Sequence, residues 1–295
     1  MHRLRRWLHD LSVEDVMKTR KQPAVYVINR GFTVRQCVNA FLDNRVHNLL
    51  VKSEDGTWKW QSLRSVLMQF ESIDEQCGQD LTDLCTCGTT TVEETLWDLT
   101  IRWTRLSAEE KRFPLLILSE GDIIEGVLTV ADVLHYVYIY GIHLSALMDR
   151  PTTDLNFDPA SPKLIFDTRS AEEGLSLLTA SEEMGLLGLV DRKGVLVAQL
   201  TLIDFLVPIV EDNLYLRLRE LVALTPLSCP PVICGDQYSF GSLLRKVHLN
   251  GAHHVWRVDM AARPIGVVQI SCLLDFVATV ATGKQPNTVA DRLIL

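Results

Sequence analysis

One pattern recurs four times along this chain, and it constrains the fold more than any other feature. Each copy reads as an apolar strand, an acidic or glycine-containing turn, a second strand and a short helix. The copies are NLLVKSEDGTWKWQSLRSVLMQF from Asn48, FPLLILSEGDIIEGVLTVADVLHYV from Phe113, LLGLVDRKGVLVAQLTLIDFLVPIV from Leu186 and HHVWRVDMAARPIGVVQISCLLDFV from His253. Their helix-start positions, Ser62, Thr129, Thr201 and Gln269, lie 67, 72 and 68 residues apart. Such a period marks a repeat architecture in which neighbouring units bury one another's apolar faces.

Asp55-Gly56, Glu120-Gly121 and Lys193-Gly194 supply hairpin turns, while the fourth turn, Met260-Ala261-Ala262-Arg263-Pro264, reads as longer. Upstream of the hairpins lie a strand and a helix, as in VYVINRGFTVRQCVNAFLDNRV and KLIFDTRSAEEGLSLLTASEEM. In the second of these, Leu175, Leu177 and Leu178 follow helical spacing, and Thr168 to Ser170 can cap the helix start. Each unit is therefore an α/β module of strand-helix-strand-strand-helix, too small to bury enough apolar surface alone. Trp58 and Trp60 share one strand face and read as packing under the next helix, with contact to a partner as the alternative. MDRPTTDLNFDPASP, residues 148–162, is rich in Pro, Thr and Asp and reads as a connection between two halves.

This arrangement resembles the CBS domain, named after cystathionine beta-synthase. Four such repeats with little else resemble the gamma regulatory subunit family of AMP-activated protein kinase, over roughly residues 12 to 280. VDRKGVLVAQLTLIDFL and HHVWRVDMAARPIGVV carry most of the likeness. The resemblance implies an α/β fold of four CBS repeats forming two Bateman modules in a pseudo-symmetric disc. The first module would span 12–147, the connection 148–162 and the second module 163–282. It also implies a non-catalytic subunit that binds AMP, ADP or ATP and regulates a Ser/Thr kinase alongside a catalytic and a scaffold (beta-type) subunit.

Thr129-Val-Ala-Asp132 and Thr201-Leu-Ile-Asp204 are the sharpest local signals. A carboxylate can accept from both ribose hydroxyls, and a helix start offers a hydroxyl and free N–H groups to a polar ligand. The resemblance assigns the ribose to Asp132 and Asp204, with Thr129 and Thr201 near ribose or phosphate. The same spacing is also a capping box that needs no ligand. The first repeat has Ser65 where the acid belongs and the fourth has Cys272, so those sites are expected to be weak or empty.

Phosphates call for cations. The resemblance places these just before the second strand of each repeat: His47, Lys111 and Arg112, and His253 and His254. The third repeat has Glu182, Glu183 and Met184 there and contributes none. An imidazole serves phosphate fully only when protonated. Thr168 and Ser170 match the family's pre-helix position near adenosine or phosphate, with helix capping as the alternative.

With 47% hydrophobic and 22% charged residues the chain is globular rather than disordered or fibrous. A net charge of -8 disfavours wholesale nucleic-acid binding. Arg3, Arg5 and Arg6 beside Trp7 form a basic start that could meet an acidic partner or a membrane surface, or simply be solvated. No segment has the roughly 18 uncharged apolar residues of a membrane helix; Val133 to Met148 comes nearest and carries two histidines. No apolar run follows the basic start, so a secretory signal is not expected. Seven scattered cysteines point to reduced thiols in cytoplasm or nucleus rather than a disulfide framework. Cys77, Cys85 and Cys87 lack a partner set at zinc spacing, and no metal or redox cofactor is expected. No phosphate loop, nucleophile elbow or metalloprotease helix occurs, so no enzyme is expected. The competing reading is a CBS-repeat scaffold whose nucleotide sites have degenerated.

Overall fold

The second strand of each repeat is centred on apolar residues, Leu49–Val51, Leu115–Leu118, Leu186–Val190 and Val255–Trp256, and such runs fold as central strands covered on both faces. In the computed structural model each of these runs lies inside its sheet. The structure describes residues 2–19, 26–28, 34–44, 46, 48–53, 56–69, 85–106, 110–119, 123–141, 144–155, 163–180, 185–211, 213–225 and 230–283.

Two short helices, α1 (His2–His9) and α2 (Val13–Lys18), precede the repeats. The first repeat comprises β1 (Val27–Ile28), α3 (Val34–Asn44), β2 (Asn48–Lys52), β3 (Trp58–Ser62) and α4 (Leu63–Gln69), and β4 (Cys85–Thr86) follows it. The second comprises β5 (Thr89–Thr90), α5 (Leu96–Arg105), β6 (Leu115–Leu118), β7 (Ile124–Leu128) and α6 (Val130–Tyr140), followed by α7 (Ser145–Met148). In the third are β8 (Leu164–Phe166), α8 (Ala171–Thr179), β9 (Leu186–Val190), β10 (Leu196–Thr201), a 3-10 turn (Leu202–Phe205) and α9 (Leu206–Val210); α10 (Leu218–Leu224) comes next. The fourth holds β11 (Val232–Cys234), α11 (Phe240–Asn250), β12 (His254–Val258), β13 (Pro264–Gln269) and α12 (Ile270–Thr282).

Every repeat thus has the expected order. Its first strand runs parallel to the central strand, and the hairpin partner runs antiparallel. The first repeat adds a fourth strand, with β4 pairing antiparallel to β3 through Trp60 and Cys85. Trp60 is buried, whereas Trp58 is half-buried under the Lys52 ammonium.

The hairpin turns correct one expectation. In the third repeat Asp191 N–H donates to the Val195 carbonyl and Gly194 N–H to the Asp191 carbonyl. The fourth repeat makes the same two bonds, from Asp259 to Arg263 and from Ala262 to Asp259. Its turn is therefore not longer. Both loops are also held by the leading aspartate, whose Oδ1 accepts two backbone N–H groups. What differs is the left-handed position, which is Gly194 (φ 79°) in one and Ala262 (φ 59°) in the other.

Contacts divide the chain into two compact units. The first consists of Met1–Pro23, Gly88–Pro162 and Pro231–Leu295, so it holds the second and fourth repeats. The other, Ala24–Cys87 with Lys163–Pro230, holds the first and third. Leu99, Trp103, Ile117, Leu134, Phe240 and Phe276 belong to the core of the former. Phe41, Leu49, Leu187, Leu200 and Phe205 belong to that of the latter.

Three lead-in segments act as equivalent straps. Leu96 N–H donates to the Leu11 carbonyl (2.8 Å) and Val13 N–H to Glu94 (2.9 Å). Phe240 N–H donates to Arg150 (2.7 Å) and Thr152 N–H to Tyr238 (2.9 Å). Ala171 N–H donates to Leu216 (2.7 Å) and Leu218 N–H to Arg169 (2.8 Å). In each case the strap crosses the residue that caps the first helix of a repeat: Thr95, Ser239 or Ser170. The segment leading into the first repeat is strapped onto the second, that into the third onto the fourth, and that into the fourth onto the third. Residues 148–155, expected only to connect, therefore pack on the fourth repeat.

Candidate functional site

The four helix starts differ in what they present. At Thr129 the backbone is extended, and Thr129 donates both its N–H (2.7 Å) and its hydroxyl (2.6 Å) to Asp132 Oδ2. Asp132 N–H returns a bond to Thr129 Oγ1 at 3.3 Å. This is a complete capping box around a buried carboxylate.

At Thr201 the N–H and hydroxyl likewise donate to Asp204 Oδ2, at 2.7 and 3.1 Å. The helix that follows is interrupted. Pro208 has no N–H to offer the Asp204 carbonyl, and its ring crowds that position, so the chain makes one 3-10 turn before α9 begins. Asp204 is 3% exposed, and its second oxygen, Oδ1, is buried without a hydrogen-bond partner. Burial pushes the Asp204 carboxyl above its ordinary range, against the opposing hydrogen bonds from Thr201. A buried carboxylate oxygen with no donor is a costly arrangement that a hydroxyl-bearing ligand would relieve.

The other two starts carry no carboxylate. In the first repeat the Ser65 hydroxyl donates to the Ser62 carbonyl (2.9 Å), lies 3.0 Å from Ser62 Oγ and accepts from Gln61 Nε2. Its hydrogen-bonding capacity is spent locally. In the fourth repeat Gln269 caps α12 without a side-chain cap bond, and Cys272, half-buried and outside any disulfide, stands where the acid would be. Each compact unit thus joins one carboxylate-bearing start to one that lacks it.

The strand registers refine the cation positions. Asn48 lies opposite Ser62, Leu186 opposite Thr201 and His254 opposite Gln269. Leu115 opposite Leu128 puts Pro114 across from Thr129. The residues one step earlier are His47, Phe113, Gly185 and His253, so Arg112 sits one residue before the position His253 occupies. His47 and the Arg112 side chain lie outside the described residues. Lys111 has another role: its ammonium reaches both Asp275 oxygens at 2.9 Å, tying the second repeat to α12 of the fourth. The neighbours of His253 crowd its ring enough to favour the neutral imidazole, although more than a third of the residue's surface meets solvent. A neutral imidazole brings no charge to a phosphate. His254 is half-buried in β12.

Thr168 is exposed in the turn after β8, and Ser170 caps α8 in a reciprocal box with Glu173. Beside them opens a groove of about 640 Å³, lined by Leu164, Phe166, Arg169, Glu172, Glu173 and Leu177 among others. It does not include Thr201 or Asp204. Among the described residues no three metal-ligating side chains stand together, and no helix is long and apolar enough to cross a membrane. Cys77 lies outside the described residues.

The Thr-x-x-Asp spacing marks the two acids but not what separates them. Of the two, only Asp204 keeps a buried oxygen without a partner, and Pro208 four residues on is the signal that marks this helix start as irregular. The Lys111–Asp275 pair joins residues too distant in sequence for any spacing to reveal.

No family model matches the chain, and no curated protein matches it in sequence. Solved structures do match. MJ1225 from Methanocaldococcus jannaschii, described as a candidate archaeal homolog of g-AMPK, superposes with a TM-score of 0.66 at 12% identity, over 90% of this chain and 99% of its own. An uncharacterized conserved protein from Pyrococcus horikoshii gives a TM-score of 0.57 at 14% identity, over 90% of this chain and 100% of its own. At such identities the likeness is one of fold. The chain is a mixed α/β protein with the architecture of tandem CBS repeats.

Proposed function

We propose that this protein is a non-catalytic sensor of adenine nucleotides that regulates a Ser/Thr protein kinase. The observation that carries the reading is Asp204 Oδ1, a buried acceptor without a donor at a helix start whose other oxygen is already held by Thr201. A ribose hydroxyl is a donor of the right kind for it. Thr201 and Asp204 form the principal site, and Thr129 and Asp132 a second whose carboxylate is engaged by its own cap. AMP, ADP and ATP compete for these sites. A nucleotide then regulates only by binding two conformations of the complex unequally.

The kinase, a scaffold subunit and a cytoplasmic or nuclear setting rest on the sequence resemblance and on the fold shared with the archaeal protein. The grouping into consecutive modules, 12–147 and 163–282, also belongs to this proposal. It is supported by which repeats the straps join: the lead-in of the first repeat to the second, that of the third to the fourth and that of the fourth to the third.

A second reading, a scaffold with degenerate sites, is favoured by Ser62–Ser65, whose hydroxyls satisfy one another. Thermal unfolding with each nucleotide separates the two. A bound nucleotide at 100 times its dissociation constant stabilises the fold by about 2.7 kcal/mol. The sensor therefore melts higher with a nucleotide and the scaffold does not. Purification of the sensor from native extract brings a Ser/Thr kinase with it, whose activity shifts with the AMP to ATP ratio.

A further inference from the structure

The basic helix at the start of the chain takes no part in the nucleotide reading. Leu4 and Leu8 are buried in the core of the first compact unit, and they fix α1 against α5 and α12. Its outward side carries His2, Arg3, Arg5, Arg6 and His9, all exposed, with no acid in the first turn. Cations at the start of a helix oppose its macrodipole, so this arrangement costs stability. Arg5 spends its charge over the Trp97 ring, 4.8 Å from the centroid, and His9 stacks on the same ring at 5.0 Å. Arg3 and Arg6 have no acidic partner among the described residues.

At helical spacing Arg3, Arg6 and Trp7 share the flank opposite Arg5. Trp7 packs against Tyr136 (6.0 Å between centroids), which packs against Tyr140 (4.6 Å). Tyr140 and its neighbour Ile139 are 46% and 42% exposed. The flank thus runs from two unpaired arginines across an aromatic ladder to an open apolar edge. Arg, Trp and Tyr together are the composition of protein-interface hot spots.

We propose that this flank docks an acidic amphipathic helix of a partner protein, its carboxylates on Arg3 and Arg6 and its apolar side on Tyr140 and Ile139. On a chain of net charge -8 the arginines form a positive island, complementary to an acidic partner. A lipid surface fits less well, because α1 has buried its own apolar face in the core and has none left to insert.

The test uses the full chain and a fluorescent fourteen-residue peptide with Glu and Leu at helical spacing, followed by anisotropy at low salt. The expected result is at least tenfold tighter binding than a Gln-for-Glu analogue or a poly-glutamate of equal charge. Arg3→Glu with Arg6→Glu weakens it at least tenfold, while the melting temperature holds or rises as the helix dipole is relieved. Lys193→Glu with Arg263→Glu, an equal charge change at exposed hairpin positions, leaves binding unchanged. Equal loss in that control, no loss in the Arg3/Arg6 variant, or equal binding of poly-glutamate overturns the proposal. Co-sedimentation with phosphatidylserine vesicles without peptide binding overturns it in favour of a membrane.

Discussion

Ala262 holds the left-handed conformation that glycine fills in the third repeat's turn, with Asp259 bridging the loop around it. A Cβ in that region costs about 1–2 kcal/mol, only partly offset by the lower entropy of the unfolded alanine chain. Ala262→Gly should therefore raise the stability measured by urea unfolding by about 0.5–1 kcal/mol. Asp204 gives the second prediction at this scale. Its folded carboxyl titrates above the ordinary value of 3.8. The native chain thus takes up a proton that the unfolded chain does not, between that value and the raised one. Stability rises as pH falls through this window, and the burial penalty is fully present above it. Asp204→Asn should be at least as stable as the natural chain at pH 7, and lose that advantage as pH falls toward 4. An Asn variant less stable at pH 7 would make the carboxylate a structural cap. Both acids were legible from Thr-x-x-Asp spacing. That Oδ1 of Asp204 lacks a donor was not, because it depends on how β10 and the 3-10 turn close over it.

Among the elements, the central strands were the most legible, since runs such as Leu186–Val190 admit little else once a hairpin turn follows. The straps were invisible because they are held by backbone bonds, which carry no side-chain signature. The turn at Asp259 is not legible from its Met260–Pro264 stretch, because the aspartate that organises it stands just before that stretch. Lys111 shows a similar limit: its place before the second strand suits a phosphate, but its ammonium is held by Asp275 of α12. With the Lys111 side chain 10% exposed, Lys111→Met takes the ammonium away from both oxygens of the half-buried Asp275 and should cost about 1–2 kcal/mol in urea unfolding. Adding Asp275→Leu should recover most of that loss, because the pair is then replaced rather than broken. If the double variant is no better than the single, Asp275 does not depend on Lys111.

For the whole molecule, the period near 70 residues established four repeats, and the shared fold of two archaeal proteins agrees. The compact units cut across the halves of the sequence, each joining an odd or even pair of repeats. No periodicity could show that, because pairing follows which helix faces meet and not their order. The consequence is a structural asymmetry: each unit owns one carboxylate-bearing helix start, and of these only the third repeat's has a buried oxygen without a partner. Calorimetric titration of the full chain with AMP, ADP and ATP, beside Asp204→Ala, tests this most directly. Saturable heat from at least one nucleotide, lost in the variant, is the expected result. No heat from any of the three up to about 1 mM, or equal heat from the variant, would contradict it.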